Sequence, residues 1–190
     1  MHKCLSLLLL LLFFINYAAL FQRSVSDHIW QKVEEKNLKS DILCGLPYQG
    51  IPLATYLSTK HDIPMLLKRQ TAKTYGTCQL FEGHYQEGDR ILLIDDVIMT
   101  GGTLIKDIPV IEAEHMHVVG TVVFIDRDQG GTERVKQNTG KETYSVVTLP
   151  DVFKYLLKHN KVSQSQIDTT VKYLCDNRFD TEPSKAIRLN

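Results

Sequence analysis

Between Ser24 and Lys36 the apolar residues Val25, Ile29, Trp30 and Val33 recur at helical spacing with charged residues between them. That period predicts an amphipathic helix with one buried face. The next apolar segments are short and do not alternate: ILCGL at 42–46 and IPMLLK ending at Lys68. Runs of this kind predict strands covered on both faces. Between them Gly50–Thr59, with IPLATYL at its heart, predicts a helix. Three more strands are expected at RILLIDD, HVVGTVVFID and YSVVTL (144–149), and helices over Thr103–His115, Val152–His159 and around Ile167–Leu174. Apolar strands alternating with helices predict an α/β fold with a mainly parallel central sheet and helices on both faces. The polar stretch Arg69–Gly88, with Gly76, Gly83 and Gly88, predicts a long loop with at most a short hairpin. Loops of that length are uncommon in compact domains unless they work.

The ends differ from the middle. After His2 and Lys3 comes LSLLLLLLFFI and then NYAAL, the basic start, apolar stretch and small residues of a secretory signal. The run Leu5–Ile15 is shorter than the roughly 20 residues that span a bilayer. The expected organisation is a signal-like leader or aberrant start over 1–22, one domain over 23–160, and a C-terminal helix with a linker-like tail over 161–190. A cytoplasmic location is expected, with the secretory pathway as the alternative if the leader acts as a signal. A chain of 190 residues that is 43% hydrophobic can bury one real core. Lys plus Arg number 22 and so do Asp plus Glu, so no net field favours nucleic acid or an anionic membrane. A small-molecule ligand is expected instead. Cys4, Cys44, Cys78 and Cys175 form no CxxC or Cys/His pair, which argues against a zinc site or a disulfide framework.

The segment ILLIDDVIMTGGT, Ile91–Thr103, concentrates the chemistry. Asp95 and Asp96 are expected at the end of a strand, on the carboxyl edge where open α/β sheets collect ligands. Two adjacent carboxylates there can accept hydrogen bonds from a vicinal diol or face a hydrated divalent cation. Thr100, Gly101, Gly102 and Thr103 then supply unobstructed N–H groups and two hydroxyls at a helix N-terminus, an arrangement suited to a phosphate. Ribose 5-phosphate has the required diol and phosphate. Other phosphate loops do not fit, because GxxxxGK with a following Ser or Thr is absent and no GxGxxG follows a strand.

This segment resembles the phosphoribosylpyrophosphate signature of the type I phosphoribosyltransferases. Within that family, LCGLPYQGIPLA at 43–54, IPMLLKRQTAKTYG at 63–76 and FIDRDQGG at 124–131 resemble orotate phosphoribosyltransferase of the animal type, in order and spacing. The resemblance runs from about Val25 to Asp176. It implies the type I phosphoribosyltransferase fold with a flexible catalytic loop, and transfer of ribose 5-phosphate from phosphoribosylpyrophosphate to orotate with Mg2+. It also implies a homodimer, because that loop closes over the neighbouring subunit's site. By residue, Asp95 and Asp96 would bind the ribose hydroxyls, with Val97, Ile98 and Met99 lining the site and Thr100–Thr103 cradling the 5-phosphate. Lys73 would be the principal cation over the departing pyrophosphate, with Arg69 and Tyr75 beside it. Arg127 would pair with the orotate carboxylate, a contact guanidinium geometry suits. Mg2+ would be held mainly by substrate. The animal-type form continues into an orotidine 5-phosphate decarboxylase domain, and whether such a domain was lost from this gene stays open.

Several positions depart from the family pattern. Gln70 stands where a second loop lysine is usual, Gln49 where bacterial members carry lysine, and Met99 where orotate enzymes have threonine. VIMTGGT resembles the adenine phosphoribosyltransferases at that point. The hydrophobic leader occupies the place of a segment of the kind FxLKSGxxSPxYxDLR. A purine phosphoribosyltransferase and an inactive or truncated phosphoribosylpyrophosphate-binding protein therefore stay open as alternatives. Lys73→Ala is expected to lower turnover by about two or more orders of magnitude while leaving the fold intact, and a variant with normal turnover would contradict the loop assignment.

Overall fold

The computed structural model describes residues 19–69 and 80–176. The first helix, α1 (Ala19–Glu35), starts five residues before the expected Ser24 and buries Val25, Ser26, Ile29 and Val33, the stripe the periodicity marks. Then come β1 (Ile42–Gly45), α2 (Gly50–His61), β2 (Met65–Lys68), β3 (Phe81–Glu82) and β4 (Arg90–Ile98). The rest is α3 (Gly102–Ala113), β5 (His117–Asp126), α4 (Gly131–Thr139), β6 (Thr143–Thr148), α5 (Leu149–Lys158) and α6 (Gln164–Asp176). The expected leader up to residue 18 and the tail from Asn177 lie outside the described residues. Among the described residues no helix is long and apolar enough to cross a membrane.

The strands form one six-stranded sheet in the order β3-β2-β1-β4-β5-β6. Every pairing is parallel except β2 with β3, so the expected α/β fold with a mainly parallel sheet is the one observed. The strands lack alternation because each face has its own core. Ile91 and Leu93 pack with Cys44, Leu66, Leu104 and Ile108, whereas Leu92 and Ile94 pack with Val25, Ile29, Leu53 and Leu57. All four residues Ile91–Ile94 are fully buried, each contributing about 1.5–3 kcal/mol of hydrophobic stabilisation. A third cluster of Leu149, Phe153, Ile167 and Leu174 seats α5 and α6 against Val97 and Ile125.

From β1 the chain steps outward to β2 and β3, then returns to place β4 on the opposite side of β1. Strand order reverses there, and the crevice at the carboxyl ends of β1 and β4 is where such a sheet takes its ligand. The backbones meet closely at that point. A Cβ on Gly50, the first residue of α2, would lie 2.2 Å from the Ile94 carbonyl oxygen, and one on Gly45 would lie 2.4 Å from that of Gly50.

Beyond the earlier start of α1, three elements differ from the sequence expectation. The helix α4 is additional: GTERVKQNT buries only Gly131 and Val135, so it carries no apolar stripe. The helix α5 starts at Leu149, before the expected Val152, because Thr148 and Asp151 form a reciprocal capping box that ends β6 one residue early. In β4 pairing runs through Ile98, so Asp95 and Asp96 stand within the strand and not at its end. The long neighbour β5 causes this, pairing Asp95 with Val123 and Val97 with Ile125.

Candidate active site

The two acids of β4 differ in surroundings. Asp96 is 8% exposed, and its backbone N–H donates to Asp95 Oδ1 at 2.9 Å. Burial, and then the neighbouring Asp96 carboxylate, push the Asp95 carboxyl far above the usual carboxylate range, to about 8. Burial also raises Asp96. Two carboxylates this close in a poorly solvated place cannot both ionise freely, and hydroxyl donors or a cation would relieve them.

Past Ile98 the chain turns through Met99 and Thr100 into α3. Gly101, at the N-cap, has φ 68 and ψ 6, the left-handed region that glycine adopts without penalty. The turn is also crowded, since a Cβ on Gly101 would lie 2.5 Å from Val135 Cγ2 and 2.7 Å from the Gly131 carbonyl oxygen. Gly102 is the opposite case. A Cβ there would meet only Thr100 Oγ1, at 3.4 Å, so its hydrogen side faces open space. The Gly102 N–H donates to Thr100 Oγ1 at 3.2 Å, and the first-turn N–H groups of a helix have no intrahelical acceptor. A pocket of about 160 Å³ opens here, lined by Asp95, Val97, Ile98, Met99, Thr100, Gly101, Gly102 and Thr103 with Leu104 and Val123. The expected phosphate loop and one of the two acids thus surround one cavity.

The helix α4, absent from the sequence expectation, holds this loop from behind. Arg134 Nη1 donates to the Thr100 carbonyl oxygen at 3.0 Å, and a Cβ on Gly131 would lie 2.6 Å from that of Met99. A signal for it existed. Asp126–Thr132 reads DRDQGGT, a second acid followed by Gly-Gly-Thr, and Gly130 caps α4 in the left-handed region at φ 88 as Gly101 caps α3. In that turn Asp126 Oδ1 accepts from the Asp128 N–H at 2.8 Å, and burial raises the Asp126 carboxyl to about 6. Arg127 turns away from this aspartate. Its Nη1 donates to Met99 Sδ at 2.9 Å, while its Nε is buried without an acceptor among the described residues. Burial draws its pKa down, and Tyr173 of α6 opposes that shift. A thioether is a weak acceptor, so this guanidinium, held against Met99 of the pocket lining, is poorly satisfied by the protein.

Arg69 stands two strands away, just past β2, where it pairs with Glu82 and its N–H donates to the Leu80 carbonyl oxygen at 2.8 Å. It does not line the pocket. Lys73 and Tyr75 lie outside the described residues, and so does Gln70. Among the described residues no group of three or more His, Cys, Asp or Glu is placed to hold a metal ion. The adjacent Asp95 and Asp96 carboxylates fit a cation carried by a phosphorylated ligand better than a protein-held one.

Comparison with known proteins matches this arrangement. The profile of the phosphoribosyl transferase domain covers residues 16–152. The chain belongs to the phosphoribosyltransferase family. It is 34% identical over 155 residues to uridine 5'-monophosphate synthase of Bos taurus, covering 82% of this chain and 32% of the bovine protein. It is 35% identical over 132 residues to orotate phosphoribosyltransferase of Pyrococcus horikoshii, covering 70% of each. The structure of Leishmania donovani UMP synthase superposes with a TM-score of 0.75 at 27% identity, over 85% of this chain and 34% of that one. The chain therefore spans about a third of the length of the UMP synthases it matches. In this member of the family the pocket opens on the strand-turn-helix from β4 to α3, and α4 supports that turn.

The two loop glycines should separate steric from ligand roles. Gly101→Ala should lower stability by about 1–3 kcal/mol through the left-handed turn and the Val135 contact, read by urea unfolding. Gly102→Ala should stay within about 0.5 kcal/mol of wild type and yet lose affinity for ribose 5-phosphate in a calorimetric titration. Loss of stability with intact binding would contradict the placement.

The acid pair generates a pH prediction. A carboxyl whose folded-state pKa is raised binds its proton when folded and releases it when unfolded, so its stabilising contribution is lost as pH rises from its unfolded value of about 4 through about 8. Asp95→Asn removes this loss. The ligand-free variant should melt about 3–8 °C above wild type near pH 8, with the gap closing towards pH 5. An equal gap at both pH values would contradict the raised carboxyl.

Proposed function

We propose that this chain transfers the ribose 5-phosphate group of phosphoribosylpyrophosphate to orotate, with orotidine 5-phosphate and pyrophosphate as products. The observation that carries the reading is the joining of a proton-hungry Asp95, next to the buried Asp96, to an open Gly102 helix start around one pocket. The pocket asks for a ligand with hydroxyls at one end and an anion at the other. Named orotate phosphoribosyltransferases among the relatives support the substrate.

In this reading the 5-phosphate rests on the N–H groups and hydroxyls of Thr100–Thr103, and Asp95 and Asp96 take the ribose hydroxyls. The base nitrogen attacks the anomeric carbon as the carbon–oxygen bond to pyrophosphate breaks, so positive charge grows on the sugar and negative charge on the leaving group. The carboxylates of β4 lie on the sugar side of that charge separation. Arg69 and Lys73 serve the leaving-group side, where preorganised cations contribute most. Mg2+, when bound to the pyrophosphate oxygens, supplies further charge neutralisation there. Arg127 receives the orotate carboxylate, exchanging the weak Met99 sulfur for two anionic oxygens. The family resemblance carries a homodimer into the same reading.

The test is pyrophosphate release from phosphoribosylpyrophosphate and Mg2+ with orotate, with adenine or with no base. Orotate-dependent release is expected, and Arg127→Ala should raise the KM for orotate by about 10- to 100-fold with a smaller change for phosphoribosylpyrophosphate. Adenine-dependent release would replace orotate with a purine. Binding of phosphoribosylpyrophosphate without release on any base would replace transfer with ligand binding alone.

A further inference from the structure

A buried ion pair crosses the fold beside the pocket. Lys68, the last residue of β2, places its Nζ 2.9 Å from Asp107 Oδ1 of α3, with side chains 8% and 13% exposed. The two elements are not adjacent, because β1 lies between β2 and the strand that feeds α3. Cys44 of β1 lies beneath the pair, its thiol pushed up to about 12 by burial and acted on in opposite directions by Asp107 and Lys68. Leu66, Phe81, Leu104 and Ile108 supply an apolar core on this same face.

Stability alone does not call for charges here, since a buried ion pair is commonly matched or bettered by apolar side chains of similar volume. What a charge pair adds is direction. Asp107 sits one helical turn beyond Thr103, which lines the pocket, and Lys68 directly precedes Arg69. The pair thus bridges the helix that begins at the phosphate loop to the strand end from which Arg69 emerges. We propose that Lys68, through Asp107, is a positioning residue that sets the placement of Arg69 relative to the phosphate loop. The proposal rests on the transferase reading, in which the loop holds the 5-phosphate and Arg69 faces the departing pyrophosphate. A substrate held at both ends requires that separation to be fixed, and errors of about 1 Å are costly to rate.

The test compares the full chain with Lys68→Met/Asp107→Leu, which removes both charges while keeping bulk, and with the conservative Lys68→Arg. The double variant is expected to melt close to wild type, with kcat lowered about tenfold or more and the KM for orotate within about twofold, whereas Lys68→Arg keeps kcat within about threefold. Should the double variant fail to fold, Lys68→Gln/Asp107→Asn carries the same expectation. Wild-type kcat in a folded charge-free variant overturns the positioning role and leaves the transferase reading standing. A wild-type chain that releases no pyrophosphate overturns the transferase reading, and this proposal with it.

Discussion

Gly101 occupies a left-handed turn whose vacant Cβ position is filled by the backbone of Gly131 and the side chain of Val135. Much of the site follows from that contact. It sets α3 and α4 side by side, brings Arg134 onto the Thr100 carbonyl and brings Gly131 under Met99, so the loop between β4 and α3 is held by backbone packing from behind. The front of the loop stays open at Gly102. A phosphate site needs both properties, because N–H groups aimed at an anion are effective only when they need not rearrange to meet it.

Against that rigid loop the protein sets carboxylates that are poorly satisfied. Asp96 is buried and Asp95 beside it is partly so, and the cost appears as a proton that Asp95 retains well above the usual carboxylate range. Arg127 is similar in kind, half-buried with a sulfur as its acceptor and its Nε without one. Unmet polar demand of this sort destabilises the empty fold, and a ligand that supplies hydroxyls to the acids and a carboxylate to the guanidinium recovers the loss. The stability of the core on both sheet faces makes such a deficit tolerable.

How much of this was legible in the sequence depended on range. The strands could be read because residues such as Ile91–Ile94 are buried on both faces, and the acid pair with TGGT could be read because the chemistry is contiguous. The helix α4 could not be read from periodicity, since Val135 is the only large apolar side chain it buries, although Gly130–Gly131–Thr132 echoes Gly101–Gly102–Thr103. The extent of β4 depends on a neighbouring strand, so the acids were expected at its end when β5 in fact carries pairing past them. The Lys68–Asp107 pair and the turn of Arg127 towards Met99 join residues from different elements, which no local pattern encodes.

The most direct test of the account is a crystal structure of the chain with phosphoribosylpyrophosphate and Mg2+. The 5-phosphate is predicted on the N–H groups of Thr100–Thr103, with the ribose hydroxyls within hydrogen-bonding distance of the Asp95 and Asp96 carboxylates. A ligand bound with its 5-phosphate away from this loop, or a loop left empty beside a ligand elsewhere, would contradict it.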